Sequence, residues 1–116
     1  MIFGAHVIVF THDADADRAF FRDVLGLSSV DSGGGWLIFA MPPSEIAFHP
    51  TDDSPVNEIY LLSDDLSADM GRLVAQGVAF TQVDEERWGT VTRFTLPGGT
   101  TIGLYQPKHP TAHQRS

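Results

Sequence analysis

The two halves of this 116-residue chain run through the same order of residues at a nearly constant offset, and this constrains the fold more than any other feature. His6 answers to Glu58, 52 positions on, and Asp13 answers to Asp65 at the same spacing. Gly26 answers to Gly77 at 51, and Pro42 to Pro97 at 55. A repeat of this length buries one sheet face poorly alone. Two copies side by side solve that by sharing a core.

Each half reads as βαβββ. Ala5 to Thr11 (AHVIVFT) is short and β-branched, which predicts a strand. Asp13 then caps a helix with Ala16, Phe20, Val24 and Phe21, Leu25 at helical spacing, and Gly26 ends it. Strands are expected at Ser28–Asp31, Trp36–Met41 and Glu45–His49. The turn Ser32-Gly33-Gly34-Gly35 and the break Pro42-Pro43 separate them. Residues 51–55 (TDDSP) form a linker. In the second half a strand is expected over Asn57–Ser63. A helix capped by Asp64 or Asp65 follows, with Leu66, Met70, Leu73 and Val74 on one face, ending at Gly77. Strands at Val78–Val83, Thr90–Leu96 and Thr100–Tyr105 complete it, with turns at Asp84–Gly89 and Pro97-Gly98-Gly99. The expected fold is α+β: one domain, 1–116, made of modules at about 4–50 and 56–107, with a curved mixed sheet around a cleft. The polar tail 108–116 is expected to fray.

Charge narrows the partners. Seven Lys and Arg stand against fifteen Asp and Glu, a net −8. That disfavours nucleic acid and anionic membrane surfaces, both of which need clustered cations. The absence of cysteine excludes disulfides, zinc fingers, iron–sulfur ligation and thiol nucleophiles. The apolar start lacks a basic region and is interrupted by His6, so it does not read as a signal peptide. No run reaches the roughly 18 apolar residues of a membrane span. A soluble cytoplasmic protein is expected.

HVIVFTHDADADRAFFRDVLGL resembles the opening strand and helix of the vicinal oxygen chelate superfamily, with His6, Asp13, Phe20-Phe21 and Val24-Leu25-Gly26 in its pattern. That superfamily contains glyoxalase I, extradiol dioxygenases, and bleomycin- and fosfomycin-resistance proteins. EIYLLSDDL, QGV and WGTVTRFTLPGGTTIGLY resemble its second half, so the likeness runs over residues 5–107. It implies the paired βαβββ fold and a homodimer, which the exposed sheet edges also favour.

The resemblance also implies a metal site with one ligand from each of four strands. Those positions carry His6, Ala47, Glu58 and Gly103 here. Two of them have no donor side chain. Glyoxalase chemistry needs a metal to polarise a carbonyl and a carboxylate to move a proton. His49 shares side-chain parity with Ala47, and His6, His49 and Glu58 would make the two-His, one-carboxylate set of an iron site. It stands about 6.6 Å along the strand, however, against metal bonds near 2 Å. The leading expectation is therefore no cofactor and a small organic ligand bound in the cleft by His6, His49, Glu58, Tyr60 and Tyr105. Without metal, His6 and Glu58 would pair as ions. Tyr60 and Tyr105 share the cleft-facing parity of Glu58 and Gly103, and Gly103 would leave room beside Tyr105 for a flat or apolar ligand. The alternative is a dioxygenase or lyase holding iron, zinc or manganese through His6, Glu58 and possibly His49. A non-catalytic dimerisation module is the third reading.

The remaining features read as structure. The glycine run lacks the Gly-Lys-Ser/Thr ending of a phosphate loop and no helix follows it. Trp36, Phe39, Phe48, Trp88 and Phe94 read as core. His12, His109 and His113 read as solvated. No Ser-His-Asp spacing is present.

Overall fold

The computed structural model describes residues 6–54 and 56–112. Helix α1 spans Ala14–Ala19 and continues as one wide π turn over Phe20–Val24, closed by the Leu25 N–H on the Phe20 carbonyl. The Asp13 carboxylate accepts from the Ala16 N–H at 3.1 Å, as the cap reading requires. Strands β1 (Ser29–Asp31) and β2 (Leu37–Phe39) pair antiparallel. Their turn holds Gly33, Gly34 and Gly35 at φ of 131°, 62° and 86°, which side chains resist. Asp31 Oδ1 accepts from the Gly33 and Gly35 N–H groups across it. Phe39 packs on Phe21 at 5.6 Å, and the Arg18 guanidinium lies 4.5 Å over Trp36, so the hairpin sits on α1.

The second half is the larger body. Strand β3 (Tyr60–Leu62), helix α2 (Leu66–Val74), and strands β4 (Asp84–Glu85), β5 (Gly89–Thr95) and β6 (Thr101–Pro107) follow in order. The sheet order is β3-β6-β5-β4; β3 runs parallel to β6, and the other neighbours are antiparallel. Asp65, not Asp64, caps α2, accepting from the Ala68 N–H at 3.1 Å. One face of the sheet presents Phe94, Ile102 and Leu104. These bury with Leu66 and Leu73 of α2, with Phe20, Phe21 and Phe80 packed around them. Phe94 stands between Phe20 at 5.8 Å and Phe80 at 5.7 Å, so α1 of the first half shares the second half's core. Period-two alternation sends Tyr60, Arg93, Gly103 and Tyr105 to the opposite face.

The first half departs from the expected module. Residues 6–10 and 45–49 form no strand, although their sequences are apolar and partly β-branched. A strand is stabilised by its partner, and neither segment has one among the described residues. Phe10 is 90% exposed and Phe48 87%. Val78–Val83 keeps only one bridge, Phe80 to Phe94. Of the residues read as core, Trp36, Phe48 and Trp88 are exposed, as is Val74 of the helix face. Residues 107–112 are tied down more than a frayed tail would be. Lys108 meets Glu85 at 2.8 Å, and the Ala112 N–H donates to Glu45. His113 lies outside the described residues. Among those described, no helix is long and apolar enough to cross a membrane.

Candidate functional site

The sheet face turned away from the helices carries an aromatic cluster. It begins with two glycines. Gly103 is the cross-strand partner of both Tyr60 and Arg93, so the three lie in one row across β3, β6 and β5. The Tyr60 ring lies directly over Gly103: a Cβ there would stand 2.2 Å from Tyr60 Cδ1. Gly89 plays the same part for Tyr105, whose Cδ2 would be 2.8 Å from an added Cβ. Two tyrosine rings therefore lie low against the sheet because the residues beneath them have no side chains. The room expected beside Tyr105 is thus occupied by Tyr60. A glycine in a sheet leaves a hole only if no neighbouring ring fills it.

Trp88, just before β5, closes the cluster. It meets Tyr105 edge-on at 5.0 Å and Tyr60 at 6.4 Å, and the two tyrosines meet at 5.6 Å. Such edge-to-face pairs add about 0.5–1.5 kcal/mol each beyond burial. Trp88 is 39% exposed, which leaves ring surface open to solvent. The Tyr105 hydroxyl bonds the His109 ring at 3.1 Å, so His109 belongs to this cluster and not to the solvent.

The polar rim follows from the same row. Arg93 Nη2 donates to the Tyr60 hydroxyl at 2.9 Å, and that hydroxyl donates to Glu58 Oε1 at 3.3 Å. The guanidinium also lies 5.6 Å from the Tyr60 ring centre. Its bond to Tyr60, with Glu58 and Asp84 nearby, holds Arg93 even more firmly in its charged form than usual. Of the residues expected at the site, Glu58, Tyr60 and Tyr105 are brought together. His6 and His49 are exposed, and no ion pair or hydrogen bond joins His6 to Glu58. Sequence reasoning missed Arg93, Trp88 and His109. The signal for Arg93 was available: in TVTRFTL it sits on the parity opposite Phe94 and the core.

No protein-family model matches the sequence, and no curated protein matches it. Solved structures do. TnmS3, an antibiotic binding protein from Streptomyces sp. CB03234, is 26% identical with a TM-score of 0.66, covering 93% of this chain and 100% of its own. A glyoxalase/bleomycin resistance protein from the same strain is 25% identical with a TM-score of 0.58, covering 83% of this chain and 93% of its own. Lactoylglutathione lyase from Agrobacterium tumefaciens shares 19% identity and a TM-score of 0.61, covering 84% of this chain and 88% of its own. The fold is that of the glyoxalase/bleomycin-resistance/dioxygenase superfamily.

The metal that the superfamily resemblance implies does not fit these residues within one chain. The Gly103 position lies under the Tyr60 ring, Ala47 has no donor, and Glu58 is engaged by the Tyr60 hydroxyl. Among the described residues no three His, Asp or Glu side chains gather as a ligand set, so His6, His49 and Glu58 do not form the triad considered above.

Tyr105 offers a test of the cluster's packing. Burial raises its pKa, and the nearby Glu45 carboxylate adds to the effect. The unfolded chain therefore ionises this phenol first. Its stabilising contribution is complete below about pH 10 and is lost as pH rises through the higher folded value. Urea unfolding midpoints between pH 8 and 11 should fall more steeply in the native protein than in Tyr105→Phe. Parallel slopes would place Tyr105 in water.

Proposed function

We propose that this protein binds a small organic molecule of flat, aromatic character against the Tyr60–Trp88–Tyr105 face. The observation that carries the reading is the platform itself. Two rings are bedded on glycines, and a third stands edge-on to both with part of its surface exposed. A bound flat molecule gains by covering aromatic surface already held in place, so little side-chain entropy is lost on binding. TnmS3, which shares the fold, is an antibiotic binding protein, and this supports sequestration as the mode of action.

The reading includes a homodimer. One chain exposes 8795 Å². A compact monomer of 12.7 kDa exposes about 6,200 Å² by mass scaling. The excess, roughly 2,500 Å² per chain, is ample for the about 1,000–2,500 Å² that each partner of an obligate homodimer buries. It is also apolar where it matters: Val7, Ile8, Phe10, Ile46 and Phe48 are all open. A second copy pairing with these segments would give the unformed first-half strands their partners and place His6 and His49 in shared surroundings. Light scattering should report twice the 12.7 kDa chain mass, and a monomer at high concentration would remove this part of the reading.

The binding itself is tested by thermal unfolding with multi-ring aromatic compounds. A ligand at a hundred times its Kd stabilises by about 2.7 kcal/mol, a readily measured rise in Tm. The rise should vanish in Trp88→Ala. Trp88 is partly exposed, so the substitution should cost the free protein about 1–3 kcal/mol, from its two edge contacts, and the rise is read against the variant's own ligand-free Tm. Failure of every such compound to raise the native Tm would remove the reading.

A further inference from the structure

Among the described residues, Arg93 stands apart from the other cations. Arg18, Arg22, Arg72 and Lys108 each have a carboxylate at 3.2, 2.7, 3.8 and 2.8 Å. Arg87 is exposed beside Trp88. Arg93 is half-buried and has no carboxylate partner among the described residues. Its side chain spends one of its five N–H donors, on the Tyr60 hydroxyl. Glu58, whose charge with that of Asp84 acts on Arg93 from a distance, instead accepts a hydrogen bond from the Tyr60 hydroxyl. The rest of its donors reach solvent, since Asp17 Oδ2 is the one buried side-chain atom left without a partner among the described residues, so they are open to a ligand oxygen. They lie at the edge of the aromatic platform, in the same row as Tyr60.

We propose that Arg93 sets the ligand class: a flat aromatic molecule bearing an anionic oxygen, a carboxylate or phenolate, whose ring covers Trp88 and Tyr105 while Arg93 takes the oxygen. This rests on the binding reading above and narrows it. The geometry suits it. Tyr60 holds the guanidinium from one side, and a planar fork of that kind meets a carboxylate with two parallel bonds. The net charge of −8 repels an anion at long range, so this recognition acts on contact and does not steer the ligand in. Arginine in place of lysine follows from the same demand, because a lysine ammonium offers no flat fork beside a ring.

The test uses the full chain carrying Trp36→Phe, which leaves Trp88 as its one tryptophan. Quenching of Trp88 is followed during titration with anthracene-2-carboxylate and, separately, anthracene-2-carboxamide, which has the same shape without the charge. The acid should bind at least about tenfold more tightly than the amide, as a charge-assisted bidentate contact requires. In Arg93→Met the two affinities should converge, and Arg93→Lys should restore part of the preference. Equal affinities in the parent protein, or a preference that survives Arg93→Met, would overturn the assignment while leaving aromatic binding intact. If neither compound quenches Trp88 in the parent protein, the assignment fails together with the binding reading.

Discussion

Gly98→Ala should destabilise this protein by about 2–4 kcal/mol, a change of one methyl group in a turn. Gly98 is buried between β5 and β6, where the first half of the chain docks. Its N–H donates to Asp17 Oδ1 at 2.7 Å, and its carbonyl accepts from the His12 N–H at 3.3 Å. A Cβ at this position would stand 1.7 Å from Thr11 Oγ1 and 2.6 Å from Asp17 Oδ2. Neither atom is the free end of a long side chain. Thr11 Oγ1 also accepts from the Asp13 N–H at the start of α1, and Asp17 is itself buried within the helix. The methyl group must therefore lift the entry of α1 off the turn. Overpacking costs about 1–3 kcal/mol, and a lost charge-assisted bond adds about 1.5–3 kcal/mol, part of it the same displacement. A fall in Tm of roughly 10 °C follows for a chain of this size. Asp17→Ala separates the two contributions, because it removes the bond without adding bulk and should cost about 1–3 kcal/mol. The double variant should cost far less than the sum, since both changes break one contact. A Gly98→Ala protein within about 0.5 kcal/mol of the parent would mean that α1 is not seated on this turn.

That seat was not legible in the sequence, and the reason is general. Local signals were. A cap at Asp13, and one at Asp64 or Asp65, was readable because a carboxylate before an amphipathic run has one obvious use; Asp13 and Asp65 each accept from the N–H three residues on. The glycine turn at 33–35 was readable because no side chain accepts those φ values. Tyr60 and Tyr105 were placed on one face by counting in twos, and the rings do meet. The failures that matter most for the site involve register between distant strands. Residues 6–10 and 45–49 have strand composition, but composition names no partner, and within one chain none is formed. Gly103 was identified as the position lacking a ligand. Only the pairing of Tyr60 with Gly103 reveals that the position is filled from the neighbouring strand. Arg93 is no metal donor, so nothing in the sequence beyond its parity marks it for the site. The same pairing puts it in the site.

Gly103→Glu tests that register and the character of the site together. The resemblance places a metal-binding glutamate at this position, and on sequence grounds the substitution should raise affinity for a divalent cation. The structure predicts a different result. The new Cβ would lie 2.2 Å from Tyr60 Cδ1, 2.4 Å from Cε1 and 2.9 Å from Cγ, so the ring must leave its bed. With it go the Arg93–Tyr60 hydrogen bond and the edge contacts to Tyr105 and Trp88. The carboxylate then stands directly across from Arg93, its cross-strand partner, where opposite charges pair favourably. The group expected to hold a ligand's oxygen becomes neutralised by the protein. Binding of an aromatic acid should fall by at least about tenfold, and overpacking should cost about 1–3 kcal/mol. Adding Tyr60→Ala should recover stability by making room, while leaving the binding lost. Titration calorimetry with zinc, manganese and iron(II) should show no site gained in Gly103→Glu. One equivalent of tightly held metal in the variant, absent from the parent, would mean that His6 and Glu58 stand within reach of position 103 after all. The chain would then be a metal protein lacking one ligand, and Arg93 would lose its claim to the site.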